Sequence, residues 1–247
     1  ASLAGKVESL SCNFAAGAAP TGSADPFGLR RQALGALRIM IEKQLSIDLE
    51  AAVVFALGRL REPLGLKPEA ERKITAELCD FIWVRAQSLF EEQGYRVDEI
   101  RSVRAGALAD LPRAFMRLAA IPAVRKDPQF EPLAAVFKRA ANILKQAEQK
   151  GEPAPKDGPQ RAALREAGEI ELLDMIEYVS GEVEEHLAAA RFDEGLRSVV
   201  SLKPKLDAFF DQVMVMVEDK ALKAQRLALL AKLVRLIERI ADLSEIQ

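Results

Sequence analysis

Apolar residues recur at intervals of three and four along the whole chain, the spacing of amphipathic helices, and no alternation persists long enough to argue a sheet. The fold class read from this pattern is all-α, helical bundles in two helical units. From Ala1 to Ala16, Leu3, Val7, Leu10 and Phe14 mark a helix, which Gly17 to Gly22 and Pro20 break. Asp25-Pro26 is expected to start the next helix, Asp as its cap and Pro in its first turn, with Leu34, Leu37 and Ile41 buried as far as about Leu45. Arg31, Gly35, Arg38 and Glu42 fall on another face, where Gly35 leaves room for close approach. Either a neighbouring helix uses that room and the arginines are solvated, or an anion or RNA does. Further helices are predicted over about Asp48–Arg61, Pro68–Gln93, Val97–Arg104 and Asp110–Ala120, with Gly94 as a C-cap and Trp83 in the packing.

The pattern shifts at Ile121-Pro122 and at Lys126-Asp127-Pro128, which sets the expected domains at 1–127 and 128–247. A helix over about Glu131–Gln149 turns Leu133, Phe137, Ala141 and Leu144 inward and Lys138, Asn142 and Lys145 outward. Such a ridge is often only a solvated face, yet cations flanking an amide also suit a phosphate backbone. Lys150 to Gln160, rich in Gly and Pro, reads as a surface connection. The helix after it, about Ala163–Ala190, carries Glu169, Glu171, Asp174, Glu177, Glu182, Glu184 and Glu185, read as a solvated face that repels RNA. A short helix around Asp193–Ser201 leads into a closing pair. The first of these runs from Lys203 through Met216 with Pro204 in its opening turn, and the second is capped by Asp219. In that last helix Gln225, Ala228, Lys232, Arg235, Arg239 and Asp242 form a polar stripe with a cationic middle. Leu222, Leu229, Leu233, Leu236 and Ile240 lie opposite. Phe209, Phe210 and Met214 are expected in the core, since a helix in a bundle must bury such residues.

Composition narrows the chemistry. The 247 residues are 49% hydrophobic and 29% charged, enough for a buried core and more than one compact unit. A net charge of −2 and a pI near 5.8 give no overall basic field, so any nucleic-acid contact must be a local patch. Cys12 and Cys79, far apart and without metal-ligand spacing, fit a reducing, cytoplasmic setting. His186 is the sole histidine, which excludes most imidazole metal sites, and its glutamate neighbours mark it as a solvated helix residue. The sequence has no apolar run fit to span a bilayer and no signal peptide, so no membrane is expected. Phosphate-cradling glycine loops, nucleophile elbows and paired-cysteine motifs are absent, and no catalytic or metal-ligating residue is assigned. A helical pattern already under way at Ala1 reads as a fragment of a longer protein.

Several motifs in order resemble the C-terminal part of bacterial glycyl-tRNA synthetase beta subunits. They are Phe209 through Met216, Arg226-Leu227-Ala228-Leu229-Leu230, and Ala241-Asp242-Leu243-Ser244. Upstream, Lys138 through Lys145 resembles the first helix of that family's DALR-type anticodon-binding region. Pro20-Thr21-Gly22-Ser23, Asp25-Pro26-Phe27 and Leu29 through Gly35 resemble the end of its HD-like domain. The resemblance departs at Lys220-Ala221-Leu222-Lys223, where a basic residue replaces the acidic first position, and at Gln212 and Gln225, where asparagine is expected. It departs again at Ala4-Gly5-Lys6, because Gly5 stands where hydrolytic HD domains place a metal-binding Asp. The resemblance implies 1–127 as a helical region holding the end of an HD-like domain and 128–247 as a DALR-type bundle. It implies a non-catalytic part of glycine-tRNA ligase that binds glycine tRNA, inactive alone, beside an alpha subunit in an α2β2 heterotetramer. The whole enzyme would use ATP and Mg, and this part no cofactor. The expected tRNA-binding residues are Lys138, Asn142, Lys145, Lys232, Arg235 and Arg239 from the two stripes, with Arg226 added from the matching motif. A helical subunit-assembly module without RNA contact is the alternative, and a phosphohydrolase is disfavoured by Gly5 and the single histidine.

Overall fold

The computed structural model describes residues 2–247, and within them the chain is all-α, with one isolated bridge between Thr21 and Ala24 as its only β pairing. The expected start of the first helix at Ala1 lies outside the described residues. Two compact units form. One runs to Ile100 and takes in Arg104–Phe115; the other joins Arg101–Val103 to Met116–Gln247.

In the first unit, α1 (Leu3–Ala15), α2 (Leu29–Glu42), α3 (Leu49–Gly58) and α5 (Pro68–Glu92) pack together, with the single turn α4 (Arg61–Leu64) between the last two. Ser2 caps α1 by accepting the Gly5 N–H at 3.2 Å. The Asp25 carboxylate accepts the N–H groups of Leu29 and Arg30 at 2.7 and 3.0 Å, yet Asp25-Pro26 stands in a turn ahead of the helix. Gly28, at φ 62°, redirects the chain first and becomes the N-cap. The helix stops at Glu42, short of Leu45. Its buried residues are Leu29, Ala33, Ala36, Leu37 and Met40, leaving Leu34 and Ile41 half-buried. The small side chains win the inner positions because α2 packs against both α1 and α5. At Gly35 the ambiguity resolves: a Cβ there would stand 3.1 Å from Lys6 Nζ of α1, so the room is used by a neighbouring helix. Asp48 caps α3, whose N-terminal Leu49 donates to the Leu108 carbonyl at 2.8 Å. Pro68 opens α5 as expected, Gly94 follows it at φ 93°, and Trp83 is buried.

Along the chain, α6 (Val97–Ser102) and α7 (Leu111–Val124) each contribute residues to both units. The latter runs through Pro122, where a break was expected. Proline in the last turn removes one hydrogen bond, while Ile121 and Val124 are fully buried and the Arg125 N–H still reaches the Ile121 carbonyl at 2.8 Å.

The second unit adds α8 (Phe130–Gln149), α9 (Ala167–Ala188), α10 (Phe192–Val200), α11 (Lys203–Gln212) and α12 (Lys220–Glu238), with 3-10 turns at Arg161–Ala163 and Leu243–Glu245. The α9 helix is shorter than predicted, because Glu166 and Glu169 form a reciprocal capping box at its start. Its neighbours are α10, α11 and α12, while α8 packs on α11, α12 and the final 3-10 turn. The predicted helix through Met216 stops at Gln212. Val213 and Val215 are buried while Met214 and Met216 are exposed, the period of two that an extended segment requires. Met214 is therefore not core; it is 73% exposed. Asp219 caps α12 by accepting the Ala221 and Leu222 N–H groups. The long apolar side of α12 is buried as predicted, and it is wide enough to take in Ala228, which was placed on the polar stripe. Among the described residues no helix is long and apolar enough to cross a membrane.

Candidate nucleic-acid interface

The α8 helix is sharply divided. Phe130, Leu133, Ala134, Phe137, Ala140 and Ala147 are buried, whereas Lys138, Asn142 and Lys145 stand exposed on one ridge. Among the described residues, none of these three has a hydrogen-bond or ion-pair partner, so both cations and the amide face water. One step round from Lys138, the exposed Arg139 guanidinium lies 4.3 Å from the centroid of the Phe210 ring on α11. Phe210 is half-buried, and the fully buried Phe209 meets it edge-on with ring centroids 5.2 Å apart. Of the aromatics expected in the core, Phe209 is there and Phe210 stands at its rim. Periodicity alone missed Arg139, because its partner lies on a helix that only folding brings near.

The second stripe is largely spoken for. Lys232 Nζ sits 2.6 Å from a Glu177 oxygen, and Arg239 pairs with Glu184. Gln225 accepts the Gln160 N–H at 2.7 Å. Arg235 alone among the stripe's three cations is exposed without an ion-pair partner within the described residues. The acidic α9 is therefore not a bare face that repels RNA. Glu177 and Glu184 neutralise α12, Glu171 pairs with Lys205, Asp174 with Arg161 and Glu185 with Arg191. The Arg161 hydrogen bond holds the Asp174 carboxyl below the ordinary carboxylate range. His186, expected in solvent, is half-buried with Nδ1 3.1 Å from a Glu194 oxygen.

Arg226 is a correction. Its side chain is 5% exposed, its Nε bonds to the fully buried Glu169, and one terminal nitrogen donates to the Met214 carbonyl at 2.7 Å. Burial keeps this guanidinium from RNA; it ties α12 to α9 and to the extended segment. Glu169 also accepts the N–H groups of Arg165 and Glu166 at 2.6 and 2.9 Å. Burial pushes its carboxyl upward, but those backbone bonds and Arg226 together hold it below the usual range.

In the first unit, an open groove of 590 Å³ is lined by Glu50, Val54, Arg61, Glu71, Thr75 and Cys79. Within it Arg61 grips both oxygens of Glu71. Among the described residues no grouping of three or more His, Cys, Asp or Glu side chains is placed to hold a metal ion, and Gly5 sits exposed on α1.

Residues 1–105 match the family model described as the glycyl-tRNA synthetase beta subunit, and residues 133–247 match that of the DALR anticodon binding domain. The chain is similar to the glycyl-tRNA synthetase beta-subunit family. Among its relatives, the glycine-tRNA ligase beta subunit of Delftia acidovorans is 38% identical over 244 residues, covering 99% of this chain and 33% of that protein. Its counterpart in Geobacter metallireducens is 38% identical over 245 residues, covering 99% of this chain and 34% of the relative. The Pseudomonas putida KT2440 protein is 39% identical over 245 residues, covering 98% and 34%. This chain thus spans about a third of the length of the curated relatives it matches. The two family matches leave 106–132 outside either. Both basic stripes fall within the anticodon-binding match.

Proposed function

We propose that the second unit binds the anticodon arm of glycine tRNA, with the α8 ridge as its principal contact. The observation that carries this reading is the unpartnered Lys138, Asn142 and Lys145 within the stretch matching an anticodon-binding family. Lysines there would hold phosphates and so position the arm, while Asn142 offers a directed hydrogen bond to a base edge or phosphate. Arg235 adds a further cation. Lys232 and Arg239 are secondary, because a phosphate would have to displace a glutamate from each. As part of a beta subunit the chain would act in the cytoplasm beside an alpha subunit in an α2β2 ligase. The alpha subunit would carry the ATP- and Mg-dependent activation of glycine, and this portion alone would not aminoacylate.

The test is binding of glycine tRNA and of a second tRNA across a salt series. Three engaged cations correspond to a slope of log affinity on log salt of roughly −2 to −3. Absent affinity, or affinity indifferent to salt, would reject the contact.

An exposed apolar surface in the first unit favours a second role there. The α3 helix is apolar on nearly every side, yet Val54 is 41% and Phe55 70% exposed, and Leu64 nearby is 49% exposed. A surface of that kind suits assembly with the alpha subunit. Replacing Val54 and Phe55 by serine would then weaken alpha-subunit association without altering the salt slope of tRNA binding.

A further inference from the structure

We infer that Arg139 and Phe210 form a stacking shelf for one unpaired base of the bound RNA, a subsite resting on the anticodon-arm reading above. A guanidinium over a phenyl ring keeps its N–H groups in its own plane, directed outward, and leaves its far face open. The Arg139 guanidinium carbon lies over the Phe210 ring, 4.3 Å from its centroid, and the residue is exposed. Among the described residues no carboxylate pairs with it, so neither its charge nor its donors are taken up. The Arg104 pair offers a contrast: it lies 6.0 Å from the Trp83 ring centroid, and its guanidinium is bound to Asp80 at 2.7 Å.

The shelf is held from beneath. Phe209 is fully buried and braces Phe210 edge-on, and α9 comes close to this turn of α11 because Gly168 has no Cβ. A Cβ on Gly168 would stand 3.6 Å from the Phe209 Cα and 3.0 Å from Gln212 Oε1. Successive residues on a helix are turned about 100° from one another, so the shelf lies on the flank of the ridge that Lys138, Asn142 and Lys145 define. Lys138 and Lys145 are two turns apart, about 10.5 Å along the axis. A strand whose phosphates follow that ridge can turn a base sideways onto the guanidinium, whose in-plane N–H groups then meet the next phosphate or a base edge. Stacking tolerates any base, so the shelf supplies affinity for an unpaired nucleotide, and edge contacts supply the choice among bases.

The test uses the chain with glycine tRNA carrying 2-aminopurine at one unpaired anticodon-loop position at a time. Binding should change the fluorescence most at a single position. Arg139→Lys keeps the charge and removes the plane; Phe210→Leu keeps apolar bulk and removes the ring. Each should abolish that change and weaken binding roughly 5- to 100-fold while leaving the salt slope within about one phosphate of the parent. Arg139→Lys leaves the core untouched, so it reports even if Phe210→Leu disturbs the fold. Unaltered fluorescence and affinity in Arg139→Lys, with salt-dependent binding intact, would show a mere tether between α8 and α11 and overturn the shelf alone. Absence of salt-dependent binding by the parent chain would overturn the shelf and the anticodon-arm reading together.

Discussion

Replacing Glu169 by alanine removes one partner of a buried ion pair, and the structure permits its cost to be worked out. The Glu169 side chain is fully buried and Arg226 is 5% exposed, so the substitution leaves a guanidinium out of water with only the Met214 carbonyl to receive a donor. Breaking a buried pair in this way costs about 3–5 kcal/mol. The N–H groups of Arg165 and Glu166 lose their acceptor as well, loosening the first turn of α9. Urea unfolding followed by far-UV circular dichroism measures the loss, and in thermal melting it corresponds to a fall of roughly 6–20 °C. Trp83 belongs to the first unit, so its fluorescence follows helices the substitution does not touch. Glu169→Leu combined with Arg226→Met should recover most of the loss, because hydrocarbon of similar volume replaces both charges. The Met214 carbonyl and the two N–H groups would keep a residual cost of about 1–3 kcal/mol. The same pair sets a pH dependence. The folded carboxyl lies below its ordinary 4.5, so its contribution is complete above that value and is lost as pH falls through the folded one. Glu169→Gln should flatten that acid limb. A loss under about 1 kcal/mol for Glu169→Ala would refute the assignment of Arg226 to the interior and return it to the candidate RNA contacts.

Other outcomes follow from the same contacts. Lys138→Ala with Lys145→Ala should reduce the magnitude of the salt slope of tRNA binding by roughly 1.5, whereas Lys232→Ala with Arg239→Ala should change it by less than half as much; equal effects would show that the α9 glutamates do not withhold their partners. Gly35→Ala should stabilise the first unit by roughly 0.5–1 kcal/mol in urea unfolding, since the new Cβ meets only the movable end of Lys6 while helix propensity improves. Burial, with Glu50, Asp80 and Asp48 adding to it, pushes the Cys79 thiol up to about 11. Its alkylation by iodoacetamide at pH 8 should therefore run on a thiolate fraction of about one in a thousand and accelerate steadily toward pH 11.

The helices, the cap at Asp219, the buried side of α12 and the exposed α8 ridge were all legible in the sequence. Each depends on residues within a few positions of one another, and a spacing of three or four fixes which side chains share a face. The same local logic misplaced Val213–Met216, where four alternating Val and Met residues carried a strand period that the helical pattern on either side concealed. It also could not rank the cations. Lys232, Arg239 and Arg226 look like Lys138 and Lys145 when read along the chain. What separates them is that α9 lies against α12 and places a glutamate opposite each of the first three, while among the described residues no carboxylate pairs with Lys138 or Lys145. Sequence therefore determined where the charges are and which side of each helix carries them. Tertiary structure decided which of those charges are already neutralised, because the partners lie far apart in the chain and meet only through packing; the pairing of Arg139 with Phe210 arises in the same way.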